Sequence, residues 1–326
     1  NVPGSLASLT EDTPTDRLGL ARWLVSSENP LTSRVIVNRY WQLFFGTGLV
    51  RTPEDFGTQG KRPTHPKLLD WLATQFQQTG WDVKRMHKLI VTSATYRQSS
   101  KVSPSLLERD PHNLLLGRGP RYRMPSWMLR DQALAISGLL VDKRGGPSVK
   151  PYQPANVWAE ATFGFKKYVQ GTGKDLYRRS LYTYWRRIIG PTMFFDTSRR
   201  QSCSVTSTRT NTPLHALTTL NDITFVEAAR KIAERVISGN EDEPRARIAA
   251  AFQLATSRLP QSAELEILLN RYHAAHKQFE EDPTAALELL TIGDSPRDET
   301  LEDAELAAYA VVCSLILNLD ETLTKE

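Results

Sequence analysis

Sulfur is scarce in this chain, with two cysteines and four methionines among 326 residues. Cys203 and Cys313 lie far apart in sequence, so the chain has neither a Cys-x-x-Cys metal pair nor a Cys-x-x-Cys-His haem attachment. No haem c is expected within this segment, and no cofactor or metal site is read from it. Long hydrophobic runs are missing too. The longest apolar stretch, Leu306 to Leu319, falls short of the roughly 20 residues that a bilayer-spanning helix needs, which predicts a soluble segment with no membrane span. There is no Gly-x-Ser-x-Gly elbow, His-Glu-x-x-His pair, Gly-x-Gly-x-x-Gly turn or complete P-loop. Gly171-Thr172-Gly173-Lys174 starts to look like a phosphate loop, but Asp175 replaces the Ser/Thr and Tyr168 stands where the first glycine belongs. Asp55-Phe56-Gly57 lacks the other kinase elements and reads as a turn. The sequence starts at Asn1 without an initiator Met or an apolar signal segment, so the first residue is expected to be a processed or chosen end.

What is present is ordinary globular material. Hydrophobic residues make up 40% and charged residues 24%, enough for a sizeable core, and the length exceeds that of one typical domain. The net charge of +5 is unevenly distributed. From Lys166 to Arg209 ten Lys/Arg face two acids, a local net of +8, whereas from Asn240 to Glu326 eighteen Asp/Glu face seven Lys/Arg, a net of −11. A basic middle segment followed by an acidic tail suggests either attraction between lobes or an anionic ligand on the basic part.

The expected fold is mainly α, two helical lobes with a small β or extended segment near residues 176–187. Residues 1–115 form the N-terminal lobe, whose four helices are marked by apolar stripes such as Leu68, Leu69, Leu72 and Phe76, opened by Pro66 and closed by Gly80. Residues 116–210 form a connecting region, with a helix over Ser126 to Val141 and a basic, aromatic extended segment in which Ser180 to Trp185 alternates like a strand. Residues 211–326 form the C-terminal lobe. It begins at the cap pair Thr212-Pro213 and centres on Leu306 to Leu319, apolar nearly all round.

The residues most suggestive of a ligand are Arg178, Arg179, Tyr182, Tyr184, Trp185, Arg186 and Arg187, continued by Asp196, Arg199, Cys203, Arg209 and Asn211. Guanidinium forks take carboxylate, sulfate or phosphate, and aromatic faces stack on sugar rings or bases. Asp196 is expected to fix the geometry of the arginines, and cationic neighbours favour thiolate at Cys203. The competing reading is an arm whose arginines pair with the acidic C-terminal helices. His273 and His276 could share a metal ion with Glu280, but the stripe Leu265, Leu268, Leu269, Tyr272, His276 and Phe279 is better explained by one packed and one exposed histidine, and no metal is assigned.

The stretches Asn38-Arg39-Tyr40-Trp41, Gly48-Leu49-Val50-Arg51-Thr52-Pro53-Glu54-Asp55-Phe56-Gly57, His65-Pro66-Lys67-Leu68-Leu69-Asp70-Trp71-Leu72 and Leu89 to Gln98 follow one another in order. Gly145-Gly146-Pro147-Ser148-Val149, Leu176 to Tyr182, Arg209 to Leu214 and Leu317 to Glu321 continue the series. Together they resemble a planctomycete-type domain of unknown function found C-terminally in secreted proteins, commonly downstream of a cytochrome c module. The resemblance covers nearly the whole chain from about residue 15. It implies an extracytoplasmic location, periplasmic or secreted, and a linked cytochrome c-type domain carrying haem c elsewhere on the precursor. One departure is His215, where the family commonly has a Gln that would complete a capping box with Thr212. The functional expectation is an extracytoplasmic module that binds or processes an anionic or sulfated glycan. The alternative is a non-catalytic scaffold that docks the linked cytochrome and partner domains. Nucleic acid fits the local charge but not an exported protein with an acidic tail.

Overall fold

The computed structural model of the chain describes residues 6, 14–165, 167–186, 189–198, 203–206, 208–239 and 243–325. It divides into two compact units, Asn1–Tyr122 with Ser204–Thr206 and Glu326, and Arg123–Cys203 with Ser207–Lys325. The connecting region expected over 116–210 therefore belongs mostly to the second unit. The fold is mainly α, as expected.

The first unit contains α1 (Arg17–Leu24), α2 (Thr32–Phe45), α3 (Pro66–Gln78), α4 (Val83–Val91) and α5 (Pro104–Arg109). Local chemistry sets their ends. Asp16, Asp82 and Ser103 cap α1, α4 and α5 by accepting a backbone N–H from the first turn. Pro66 opens α3, and Gly46 closes α2 in the left-handed conformation. The core gathers Val37, Trp41 and Phe45 from α2, Leu69, Leu72 and Phe76 from α3, and Met86 and Ile90 from α4. The Trp41 and Phe45 rings stack at 4.0 Å. Asn38, fully buried, donates to the carbonyl of Val50 and accepts its N–H. A side chain at Gly48 would strike the Asn38 amide at 2.6 Å, so the close approach of Asn38 to this segment requires glycine there. His87 sits edge-on to Tyr40 and Phe44 in the same core.

The second unit continues with α6 (Ser126–Ser137), α7 (Val157–Ala161), 3-10 turns at Gly173–Tyr177 and Ser180–Tyr182, then α8 (Pro213–Asn221), α9 (Ile223–Ile237), α10 (Pro244–Thr256), α11 (Ser262–Glu281), α12 (Pro283–Leu290), α13 (Asp303–Leu317) and α14 (Asp320–Leu323). The apolar α13 is the central helix, packed by α9, α10, α11 and α12, with Leu306, Val312 and Cys313 buried. Burial pushes the Cys313 thiol up to about 12, so it is an inert core group. Tyr272 and Phe279 of α11 face inward, His276 is half-buried and His273 exposed, the division expected from the stripe.

Strand structure among the described residues is confined to β1 (Tyr122–Arg123) and β2 (Thr324–Lys325). The strand read over Ser180 to Trp185 is instead a 3-10 turn followed by extended chain. It makes single parallel bridges, Val141 with Arg178 and Val149 with Thr183. No neighbouring strand is long enough to turn those bridges into a ladder, and side chains take over the backbone groups. Arg130 of α6, fully buried, donates to the carbonyls of Leu176 at 2.7 Å and Arg178 at 2.8 Å, and to Ser180 Oγ at 3.3 Å. Asp131 accepts the Ser180 N–H at 2.7 Å.

A second buried polar cluster ties the loop after α12 to α9. Glu227 accepts from Tyr177 Oη at 2.8 Å and from the Ser295 N–H at 2.7 Å, while Arg230 binds Glu234 at 2.7 Å and the Ser295 carbonyl at 2.9 Å. Burial raises the Tyr177 phenol to about 12, so it stays a donor to Glu227 at neutral pH.

Candidate functional site

The extended segment and α6 together wall a cavity of about 550 Å³ in the second unit. Each wall follows from a local pattern. In α6 the residues Ser126, Leu129, Arg130, Ala133, Leu134 and Ser137 face the core, which leaves Trp127 and Asp131, one helical turn apart, on the cavity side. Arg130 and Asp131 then pin the chain at 176–180, so Arg179, Ser180, Leu181 and Thr183 form a second wall. Trp185, Phe194, Asp196, Thr197 and Ser198 complete the lining with Pro125. The Trp185 and Phe194 rings lie nearly parallel at 6.1 Å. Gly190 permits this position, because a Cβ there would come within 2.8 Å of the Trp185 ring.

The residues singled out in the sequence fall into several groups. Arg179, Trp185 and Asp196 line the cavity. Arg179 is half exposed and lies 3.5 Å from Asp142, an exposed pair worth about 0–1 kcal/mol that a ligand anion can readily replace. Arg178 and Tyr182, expected among the ligand residues, lie outside the cavity lining. The Arg178 guanidinium donates to the carbonyls of Lys143, Gly145 and Pro147 and lies 3.9 Å over the Tyr182 ring, whose hydroxyl accepts the Gly145 N–H. Together they clamp the Gly145-Gly146-Pro147 turn. Buried donors are satisfied by the nearest carbonyls, and here those belong to that turn.

The Asp196 carboxylate also differs from expectation. It accepts the Thr210 N–H at 2.6 Å and the Thr210 hydroxyl at 2.9 Å rather than an arginine, holding residue 210 just before α8. His215 in the first turn of α8 is buried, stacked on Phe195 at 4.0 Å, with Nε2 3.9 Å from Asp196. In place of a capping glutamine it therefore supplies a packed ring. Asn211 accepts from Arg123 at 2.7 Å. Cys203 and Arg209 are exposed and outside the lining, and Arg199 and Arg187 lie outside the described residues. Nor do Arg178 and Arg179 pair with the acidic C-terminal helices. Those acids find arginines of their own stretch, Arg247 with Glu305, and Arg258 with Glu264 and Glu321.

Sequence reasoning missed Trp127 and Asp131. The available signal was weak, because α6 buries Ser126, Arg130 and Ser137 and leaves Trp127 and Met128 exposed, so its sequence does not separate an apolar from a polar face. The described lining thus combines indole and phenyl faces with four hydroxyls, two carboxylates and one guanidinium. Among the described residues no three His, Cys, Asp or Glu side chains gather as a metal site, and no helix is long and apolar enough to cross a membrane.

Neither the curated proteins nor the solved structures contain a match to this chain. A family model, PSD1, a protein of unknown function (DUF1553), matches residues 16–272, spanning the α2 and α3 motifs, both cavity walls and the cap of α8. With most of its length matched, the chain belongs to the PSD1 family of proteins of unknown function.

Proposed function

We propose that the cavity of the second unit binds a saccharide, with a sugar face against Trp127 or Trp185 and its hydroxyls taken by Asp131, Asp196 and the surrounding Ser and Thr side chains. The observation that carries this reading is the lining itself, indole faces interleaved with carboxylates and hydroxyls around about 550 Å³. That volume lies within the roughly 300–1,000 Å³ typical of ligand sites. Aromatic faces with few charges suit the apolar faces of sugar rings, and carboxylates accept from their hydroxyls. The described lining has two acids against one cation, which disfavours a densely sulfated chain and suits a glycan with an isolated acidic group opposite Arg179. Taken with the family resemblance, this reading makes the chain an extracytoplasmic glycan-binding module linked to a haem-bearing domain.

A docking role has one observation in its favour. Leu214, Leu217 and Leu220 of α8 are exposed while His215 and Thr219 of the same helix are buried, an apolar stripe open to a partner. A soluble-glycan screen with wild type and Trp127→Ala separates the two. The saccharide reading expects selective hits that the variant loses. A screen without hits at low salt rejects it and leaves the docking role.

A further inference from the structure

The first unit has a groove whose chemistry differs from that of the cavity just described. It lies between α3 and α4, encloses about 270 Å³, and is lined by Trp71, Gln75 and Thr79 from one side and Arg85, Met86, Lys88, Leu89 and Thr92 from the other. The spacing is helical on both sides, Trp71, Gln75 and Thr79 at four-residue steps on α3 and just beyond it, and Arg85, Lys88 and Thr92 along α4 and its C-cap. Leu69, Leu72, Ala73 and Phe76 carry α3 into the core, yet Trp71 is 50% exposed. Among the described residues it has no ring partner and no cation over its face.

The charge is one-sided. α4 contributes Lys84, Arg85 and Lys88 with no acid in the helix. The side chains of Arg85 and Lys88 have no hydrogen-bond or ion-pair partner among the described residues. The two nearest acids by sequence are already engaged, Asp70 with Arg34 at 2.7 Å and Asp82 as the N-cap of α4. Unpaired cations and an uncovered indole line the same groove with Met86 and Leu89, and so offer a flat apolar contact and an anion clamp to one ligand.

We propose that this groove is a second binding site, for a compact organic anion whose ring rests on Trp71 and whose carboxylate, sulfate or phosphate sits between Arg85 and Lys88. The site shares no residue with the saccharide cavity, and its lining holds two cations and no acid where the cavity lining holds one cation and two acids. A bare solvated basic face would bind inorganic phosphate as well as any ring-bearing anion, whereas a clamp beside an indole needs both parts of the ligand.

Calorimetric titration at low ionic strength tests this with glucose 6-phosphate, galacturonate and phenyl phosphate as probes, and glucose and inorganic phosphate as controls. At least one ring-bearing anion should saturate the protein and bind about tenfold more tightly than either control, the gain expected when charge-assisted bonds and ring contact act together. The sugar and phenyl probes distinguish a saccharide source from an aromatic one. Arg85→Glu with Lys88→Glu should abolish the binding, and Trp71→Ala should reduce it to the level of inorganic phosphate. All three side chains are exposed, so unchanged far-UV circular dichroism is expected. Trp127→Ala should leave this binding intact, which separates its fate from that of the cavity. Absence of saturation by every ring-bearing probe, parity with inorganic phosphate, or indifference to the charge reversals would overturn the assignment.

Discussion

Replacing Arg130 by Met tests whether one buried guanidinium shapes the cavity wall. The substitution keeps an unbranched stem of similar length but removes the donors to the carbonyls of Leu176 and Arg178 and to Ser180 Oγ. Those carbonyls belong to the backbone and cannot be removed with their partner, and each buried acceptor left unpaired costs about 1–3 kcal/mol. Relief from burying a cation offsets part of this, since burial already holds the Arg130 guanidinium down to about 10. The net loss should be about 2–4 kcal/mol, which for a unit of this size lowers the melting temperature by about 4–16 °C. Differential scanning calorimetry measures that loss, and hydrogen exchange should show faster opening at residues 176–183. A variant that melts within about 1 °C of wild type, with unchanged exchange in that segment, would refute the reasoning.

Gly293 has φ of +94°, and a Cβ there would lie 2.3 Å from Cδ of the buried Glu227. Gly293→Ala should therefore lose about 1–3 kcal/mol from backbone strain alone and more from displacing Glu227, visible in a denaturant melt. Gly190→Ala should push the Trp185 ring aside and weaken saccharide binding in a titration, with only a small change in melting temperature. Hydrogen bonds from Arg258 hold the Glu264 carboxyl down to about 2, below its ordinary 4.5. Because the folded pKa is the lower one, this contribution to stability is complete above about pH 4.5 and is lost as the pH falls towards about 2. Both groups are over a third exposed, so the effect is modest. Arg258→Gln should flatten the dependence between about pH 5 and pH 3 in urea titrations.

Much of the fold was legible because periodicity and caps act locally. The stripe Leu68, Leu69, Leu72 and Phe76 with Pro66 and Gly80 gave α3 almost to the residue, and the apolar run from Leu306 gave the central α13. The segment near 176–187 was harder, since its conformation is imposed from outside by Arg130 and Asp131 of α6. Alternation alone could not distinguish a strand from an extended chain held by side chains. Of the residues singled out in the sequence, Arg179, Trp185 and Asp196 line the cavity, whereas Arg178 and Tyr182 lie outside its lining. An arginine's chemistry is the same whether it meets a ligand or three carbonyls, and only the position of the 143–147 turn decides between them. The groove at Trp71 escaped notice because its cations sit on one helix and its indole on another.

Hydrogen–deuterium exchange with a glycan from the screen tests the saccharide cavity most directly, because it reports where the ligand sits. The account predicts slower exchange at amides 179–185 and 194–198 and in the first turn of α6, with α3 and α4 unchanged. Protection confined to α8, or none near Trp127 and Trp185 at saturating glycan, would contradict it.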